Sequence, residues 1–467
     1  MNRYNRSLFI FRRDLRLTDN TALNAALRQS QQVIACFIFD PRQITAHPYQ
    51  SRPGLQFMLE ALEDLQLQIA AQGGQLYLFQ QRPEQVIETL SQQQHIQAVF
   101  VNRDYTPFSR SRDPDMAQHC LQLGVDFHSY GDLLLNEPEQ VLKTDGTAYQ
   151  VFTAFCNRAR QIPVGHPQQL AAGRFCNDPP LPAAGLLQAI KQPHHYALSG
   201  GRRPALAILE STLPDSENYL QQRDFPALTA TSQLSAYLKF GCCSVREVYD
   251  AIRKNFGDEH ALLRQLYWRD FFTHIGFHYP HVFAQAFHKR FDSLPWQNDA
   301  ERFRAWTNGL TGFPIVDAAM RELQQTGWMH NRLRMITASF LVKDLHISWR
   351  WGERHFARHL LDYDPCLNNG NWQWAASTGC DAQPYFRIFN PWLQQRKFDA
   401  ECRYIKHWLP ELQNYTAKQI HNWQLTPLAC DYPPPIVDHH IQSQQIKKLF
   451  QGIADNPSTS FASQSHS

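Results

Sequence analysis

Val33-Ile34-Ala35-Cys36-Phe37-Ile38-Phe39 is an unbroken apolar run, followed at once by Asp40-Pro41-Arg42. A half-buried strand alternates apolar and polar residues, whereas a continuous run of this length fits a strand covered on both faces. Four more short runs read the same way: Ser7–Phe11, Gln75–Phe79, Ile96–Val101 and Val125–Ser129. Between them Thr21–Leu27, Pro53–Gln72, Pro83–Gln94 and Arg110–Leu123 carry helical periodicity, and Gly73-Gly74 and Gly124 supply helix stops. Strands and helices in alternation predict an α/β domain over residues 1–130, a parallel Rossmann-like sheet with helices on both faces. Such a sheet takes ligands beyond the carboxyl ends of its strands, here near Asp40-Pro41-Arg42 and Asn102–Tyr105. No G-x-G-x-x-G follows the first strand, so an ordinary dinucleotide site is not indicated.

Outward from the sheet the pattern changes twice. Residues 131–199 are rich in Pro, Gln and small residues, including Asp178-Pro179-Pro180 and Gln192-Pro193, and read as a long, partly helical connector. From Gly200-Gly201 onward amphipathic helices repeat, among them Ser244–Asn255, Ala261–Phe277, Ile315–Gln325 and Asn331–Leu345, so residues 200–456 read as an all-α domain. The Ser-rich tail 457–467 reads as disordered. All 11 tryptophans lie between Trp268 and Trp423, which separates the work of the two halves.

Composition bounds the function classes. With 43% hydrophobic and 19% charged residues the 467-residue chain is globular. No run approaches the roughly 18 apolar residues of a membrane helix, and Met1–Ser7 carries no signal pattern, so a cytoplasmic protein is expected. The ten cysteines form no C-x-x-C pair, which argues against a zinc ribbon or a disulfide framework. A net charge of +3 gives nucleic-acid binding little support by itself.

Four stretches concentrate chemistry. Asp362-Tyr363-Asp364-Pro365-Cys366-Leu367-Asn368-Asn369-Gly370-Asn371-Trp372-Gln373-Trp374 crowds carboxylates, amides and indoles together. Trp372 and Trp374, two positions apart, point to nearly opposite sides of a helix or strand, as core aromatics or with one facing a cavity. In Trp328-Met329-His330-Asn331-Arg332-Leu333-Arg334-Met335, helical spacing puts Asn331, Arg334 and Met335 on one face. That set suits a heterocycle with a polar rim, and equally a solvated arginine beside a core methionine. Gln265-Leu266-Tyr267-Trp268-Arg269 joins an amide, an indole and a guanidinium. Tyr219-Leu220-Gln221-Gln222-Arg223-Asp224 and Thr231-Ser232-Gln233-Leu234-Ser235 offer an anion cradle at a helix start, or simply an N-cap.

In this order the four stretches resemble the photolyase/cryptochrome family, most closely its class I enzymes for cyclobutane pyrimidine dimers. The resemblance runs from Phe11-Arg12-Arg13-Asp14-Leu15-Arg16-Leu17-Thr18-Asp19-Asn20 through Arg387-Ile388-Phe389-Asn390-Pro391 to Trp408-Leu409-Pro410-Glu411-Leu412. It implies an antenna-chromophore domain, a connector and a helical FAD-binding domain. It also implies light-driven electron transfer from reduced FAD to a dimer flipped out of DNA. By motif match Tyr219, Thr231, Ser232, Gln233, Leu234 and Ser235 would hold the FAD phosphates and ribitol. Arg269, Asn331, Arg334, Asp362 and Asp364 would surround its rings, with Arg334 and Asp362 as a buried ion pair. Asn368 would face flavin N5. Trp372, Trp349 and Trp296 would relay electrons from the surface, Trp296 outermost in the polar Leu294-Pro295-Trp296-Gln297-Asn298 loop, with Trp306 as the rival.

On the substrate side the resemblance implies that Trp268 and Trp374 flank the dimer, Met335 packs against it and Gln265 hydrogen-bonds it. Arg223, Arg332 and Lys397 would meet phosphate. Two departures stand out. Enzymes for cyclobutane dimers carry glutamate where Gln265 stands, which raises the (6-4) lesion as an alternative. Folate-binding relatives carry an Asn-Glu pair where this chain has Tyr105-Thr106-Pro107-Phe108-Ser109-Arg110-Ser111-Arg112-Asp113. A flavin or deazaflavin antenna near Arg42, Arg52 and Asp104 is therefore expected before folate.

Cryptochrome-type signalling is the other alternative, opposed by the intact Trp268, Met335 and Trp374 set and the short stretch after Leu412. His274-Ile275-Gly276-Phe277 is a chance match to a nucleotidyltransferase motif. His355 and His359 lack the intervening glutamate of H-E-x-x-H and read as a solvent-facing pair, so no metal is expected. A monomer without an obligate protein partner is expected.

Overall fold

The computed structural model describes residues 3–45, 47–178, 196–228, 230–425 and 431–455. Pro179, Pro180, Gln192 and Pro193 of the expected connector, and the tail 457–467, lie outside the described residues.

The apolar runs form a five-stranded sheet: β1 (Tyr4–Phe11), β2 (Ser30–Ile38), β3 (Leu76–Phe79), β4 (Ala98–Asn102) and β5 (Asp126–Tyr130). Its order is β3-β2-β1-β4-β5, and every pairing is parallel. Val33 to Phe39 are each no more than 8% exposed, as a strand covered on both faces requires. Sequence-local chemistry sets the helices between strands. Asn20 caps Thr21–Gln29 by accepting from the Leu23 N–H, and Ser51 caps Arg52–Ala71 by accepting from Gly54. The strand order reverses direction between β1 and β4. Beyond their carboxyl ends Arg12, Arg13, Asn102 and Asp104 line a small cleft, where the fold rule puts a ligand.

By compactness the chain forms two units, Met1–Tyr219 with Thr231–His278 and Leu361–Asp364, and the remainder. The helices Ser235–Phe240, Val245–Phe256 and Ala261–His278 belong to the same compact unit as the sheet. The Phe11–Asn20 stretch explains why. Asn102 donates to Asp14 (2.6 Å) and Asn20 (2.8 Å), all buried. Arg16 donates to Asp132 (2.6 Å), and Arg246 reaches both Asp19 (2.9 Å) and Asp132 (2.8 Å). Burial alone would raise the Asp132 carboxyl, but the two guanidiniums override it and hold it at about 2. The motif is thus a buried ion network that joins helix 245–256 to the loop after β1. Gly241 ends helix 235–240 at φ +68, and a Cβ there would sit 2.2 Å from the Arg13 carbonyl oxygen, so only glycine permits that approach.

The second unit is helical. Its core is built from Pro314–Thr326, Asn331–Lys343, Trp349–His359 and Pro365–Ala376, with Ile315, Phe340, Leu341, Phe356 and Trp372 all buried.

Candidate active site

In the first unit, Tyr219 is buried, and Thr231, Ser232 and Gln233 are half-buried. Gln233 takes a left-handed φ of +50 just before the 235–240 helix. Leu234, buried at the N-cap, brings no side-chain acceptor, so the first-turn N–H groups remain available to another one. Arg269 lies on Ala261–His278 and donates to the carbonyls of Leu133 (2.7 Å) and Leu238 (3.5 Å), tying that helix to the end of helix 235–240. Its neighbour Asp270 accepts from the Leu135 N–H (2.8 Å), and burial pushes its carboxyl up to about 7.

Asp364 is ion-paired with Arg13, whose Nε also donates to the Lys239 carbonyl (3.1 Å). The Leu361–Asp364 segment is thereby fixed to the loop after β1, with Asp362 and Asp364 both buried. Arg13 was invisible as a site residue in sequence beyond its place in the Phe11–Asn20 stretch. One turn apart on helix 261–278 stand Gln265 and Trp268, both half-buried. The Trp268 ring is stacked on Phe152 at 3.6 Å with an interplanar angle of 6°. One indole face is therefore covered and held by Phe152, and Phe272 lies 5.5 Å from the same ring at an interplanar angle of 29°.

Farther along the sheet, Arg42 forms a two-nitrogen pair with Asp40 and lies 5.0 Å from the Phe108 ring centre, which Arg112 also approaches at 5.6 Å. Asp104 is committed to Arg13 (3.2 Å) and Ser109 (3.0 Å). Arg52 is exposed at the start of Arg52–Ala71. Phe108 and Arg112 are additions that sequence reasoning quoted only as part of a loop.

In the second unit the Asn-Gly-Asn-Trp-Gln crowding resolves into two faces of helix 365–376. Asn369 and Gln373, one turn apart, both donate to the Val282 carbonyl at 2.9 Å and hold the helix in place. Asn368 and Trp372 share another face. Asn368 donates its amide to the Glu353 carbonyl (2.9 Å), which fixes the side chain and leaves its oxygen as an acceptor. Trp372 is buried and meets Phe356 at 5.0 Å and Trp306 at 6.2 Å between ring centres. Trp374 is half-buried, as the opposite-side reading requires.

Trp349 is buried and carries Arg350 over its ring at 4.6 Å. Trp306 is fully buried and donates to the Thr337 carbonyl (3.1 Å), whereas Trp296 is half-buried, so of these two only Trp296 reaches solvent. Trp296 packs against the cluster that includes Phe291 and Phe450, and its indole N–H is buried without an acceptor among the described residues. The polar loop context had suggested freer solvent access than this apolar neighbour allows. His355 and His359 are not the solvent-facing pair expected. They stack at 4.1 Å, both half-buried, because Trp306 and Phe303 pack on His355.

Asn331 is exposed and donates to the Met335 sulfur at 3.8 Å. Arg334 donates to the Met329 carbonyl (2.9 Å). Arg332 pairs with Asp224, next to Arg223, at 2.8 Å, and lies over the Phe398 ring at 4.6 Å, with exposed Lys397 at 5.1 Å from the same ring. His330 is buried and caps helix 331–343 by accepting from the Arg332 N–H (3.1 Å).

A parallel sheet with a switch-point cleft lined by arginines and a helical unit with a buried Asn–Trp face are the two features the chain combines. The chain belongs to the DNA photolyase family. The DNA photolyase profile matches residues 7–173, and that of the FAD binding domain of DNA photolyase matches residues 262–452. The chain is 38% identical to the deoxyribodipyrimidine photo-lyase of Synechococcus sp. over 96% of both chains. It is 38% identical to that of Escherichia coli over 92% of this chain and 95% of the relative. The crystal structure of the Sulfolobus tokodaii photolyase with two FAD molecules is similar at a TM-score of 0.88 and 40% identity, covering 96% of this chain and all of that one. A class III photolyase from Agrobacterium tumefaciens aligns at a TM-score of 0.91 with 32% identity, over 97% and 99% of the two chains.

Proposed function

We propose that this protein is a cyclobutane pyrimidine dimer photolyase. When bound, fully reduced FAD supplies one light-driven electron to the dimer and takes it back after the two carbon–carbon bonds between the pyrimidines break, so the reaction is redox-neutral. The residues present fit such a group: Asn368 is fixed by donating to the Glu353 carbonyl and presents its amide oxygen as an acceptor, and Asp362, Asp364 and Arg269 are the buried charged residues that would surround its rings. Asn368 would accept from flavin N5–H. Tyr219 and Thr231–Ser235 would hold the phosphates and ribitol, and Asn331 and Arg334 would lie along the rings. Trp372, Trp349 and Trp296 would carry electrons inward. Trp268 would offer aromatic surface to the dimer, with Gln265 donating to a thymine carbonyl, and Met335 and Trp374 would pack on it.

The observation that carries the lesion assignment is His330. The (6-4) reaction needs an acidic histidine beside the lesion. Here Asn331 and Met335 occupy the relevant helix face, and His330 is turned inward as an N-cap with its imidazole pushed down to about 4 by burial. An amide can replace a carboxylate as a hydrogen-bonding group, but not a general acid. Illuminating the reduced enzyme with oligonucleotides that carry each lesion should restore thymines from the cyclobutane dimer only, and Gln265→Glu should raise the yield. Repair of the (6-4) product alone would overturn the assignment.

The same reading gives the protein DNA as its partner, through Arg223, Arg332 and Lys397, and a monomeric, cytoplasmic existence. Among the described residues no helix is long and apolar enough to cross a membrane.

A further inference from the structure

We infer that Asp224 is a built-in competitor for DNA phosphate, holding the Arg332 guanidinium until a strand displaces it. The inference rests on the reading of Arg332 as a DNA contact. Asp224 Oδ2 lies 2.8 Å from Arg332 Nη2, with 31% and 18% of the two side chains exposed. An ion pair so placed is accessible and weak enough to exchange. A carboxylate and a phosphate present alike oxygens to a guanidinium, so one can take the other's place without moving the arginine.

The arginine is held in place from below. Its guanidinium lies over Phe398 at 4.6 Å, and Phe225 meets the Phe398 edge at 6.0 Å. Arg332 therefore stays in position when the Asp224 carboxylate leaves. His330, at the N-cap of this helix, is buried and neutral near pH 7, so it does not rival Arg332 for Asp224.

An isolated anion gains only what Asp224 already provides. A strand gains more, because neighbouring phosphates reach Lys397, over the same Phe398 ring at 5.1 Å, and Arg223, next to Asp224 in the chain. Asp224 thus lowers affinity for small anions and for poorly seated DNA, while a polyanion in register still displaces it. Its role is positioning and selectivity; it does not act on the reacting atoms.

The test uses the full chain and an undamaged duplex, so that lesion recognition does not enter, with Kd measured across a salt series for Asp224→Asn, Asp224→Glu, Arg332→Ala and the double variant Asp224→Asn/Arg332→Ala. Asp224→Asn is expected to tighten binding about threefold or more and to steepen the dependence of log Kd on log salt by up to about one unit. Asp224→Glu, which keeps a carboxylate, should remain with the parent. In the Arg332→Ala background the gain from Asp224→Asn should shrink to less than half on a logarithmic scale. An equal gain in both backgrounds would make Asp224 a general surface charge and overturn the inference. Weaker binding by Asp224→Asn would make it a support for Arg332 and overturn it equally. If Arg332→Ala binds like the parent, the underlying assignment of Arg332 fails. If that variant binds weakly but Asp224→Asn does not tighten binding, the competitor alone fails.

Discussion

Gly352 has no side chain because Trp372 fills the space: a Cβ there would lie 2.1 Å from the far edge of the indole. The neighbouring atoms are a buried ring and Leu341, so neither yields cheaply. Gly352→Ala should therefore destabilise the protein by about 1–3 kcal/mol in denaturant melts, despite alanine's better helix propensity. On the proposed electron path it should also slow light-driven reduction of the flavin by shifting Trp372. Trp372→Phe should slow photoreduction more, yet leave chemically reduced enzyme able to repair DNA. A phenyl ring vacates the clashing edge, so Gly352→Ala should cost less in the Trp372→Phe background; equal costs in the two backgrounds would mean the indole is not what excludes the methyl.

At the scale of elements, strand runs and helix periods marked what would form to within a few residues. Ser244–Asn255 was expected from its amphipathic period where Val245–Phe256 stands, and Ser244 with Glu247 forms a capping box at its start. Partners were not legible. Nothing local told Trp268 that Phe152 would cover one face, or Arg13 that Asp364 would be its counter-ion, since those contacts join residues 116 and 351 positions apart along the chain. The end of helix 331–343 shows another such contact. Lys343 is buried, donates to the Ser377 hydroxyl (3.0 Å), and lies 3.9 Å from the Phe450 ring centre on the helix His439–Asp455. Burial lowers its ammonium from 10.5 to about 7. The unfolded chain thus takes up the proton at higher pH than the folded one, and stability falls as pH drops from about 10 to 7. Lys343→Met should remove that slope and raise stability at pH 7 by about 2 kcal/mol. Melts between pH 7 and 10 that keep the parent's slope would refute the assignment to Lys343.

For the whole molecule, the catalytic half was legible because its chemistry is packed into short motifs, whereas the sheet's ligand site had to be assembled from separate loops. Arg42 follows β2 and Phe108 and Arg112 follow β4, and only the fold brings the three together around one aromatic ring. Asp104, which sequence reading placed with Arg42, is instead occupied by Arg13 and Ser109, and those contacts hold its carboxyl well below the usual range despite burial. The loop therefore presents an aromatic face flanked by two arginines, with the Asp104 carboxylate already engaged. That chemistry favours a planar chromophore with a phosphate over one that needs an acid to hold a pterin amide. Protein released from its bound cofactors should yield flavin-type chromophore above the one equivalent expected for the catalytic site. Arg42→Ala should lower that excess without changing the catalytic equivalent or the repair of dimers by chemically reduced enzyme under light absorbed directly by the catalytic flavin. Release of stoichiometric folate, or an excess flavin indifferent to Arg42, would place the antenna elsewhere.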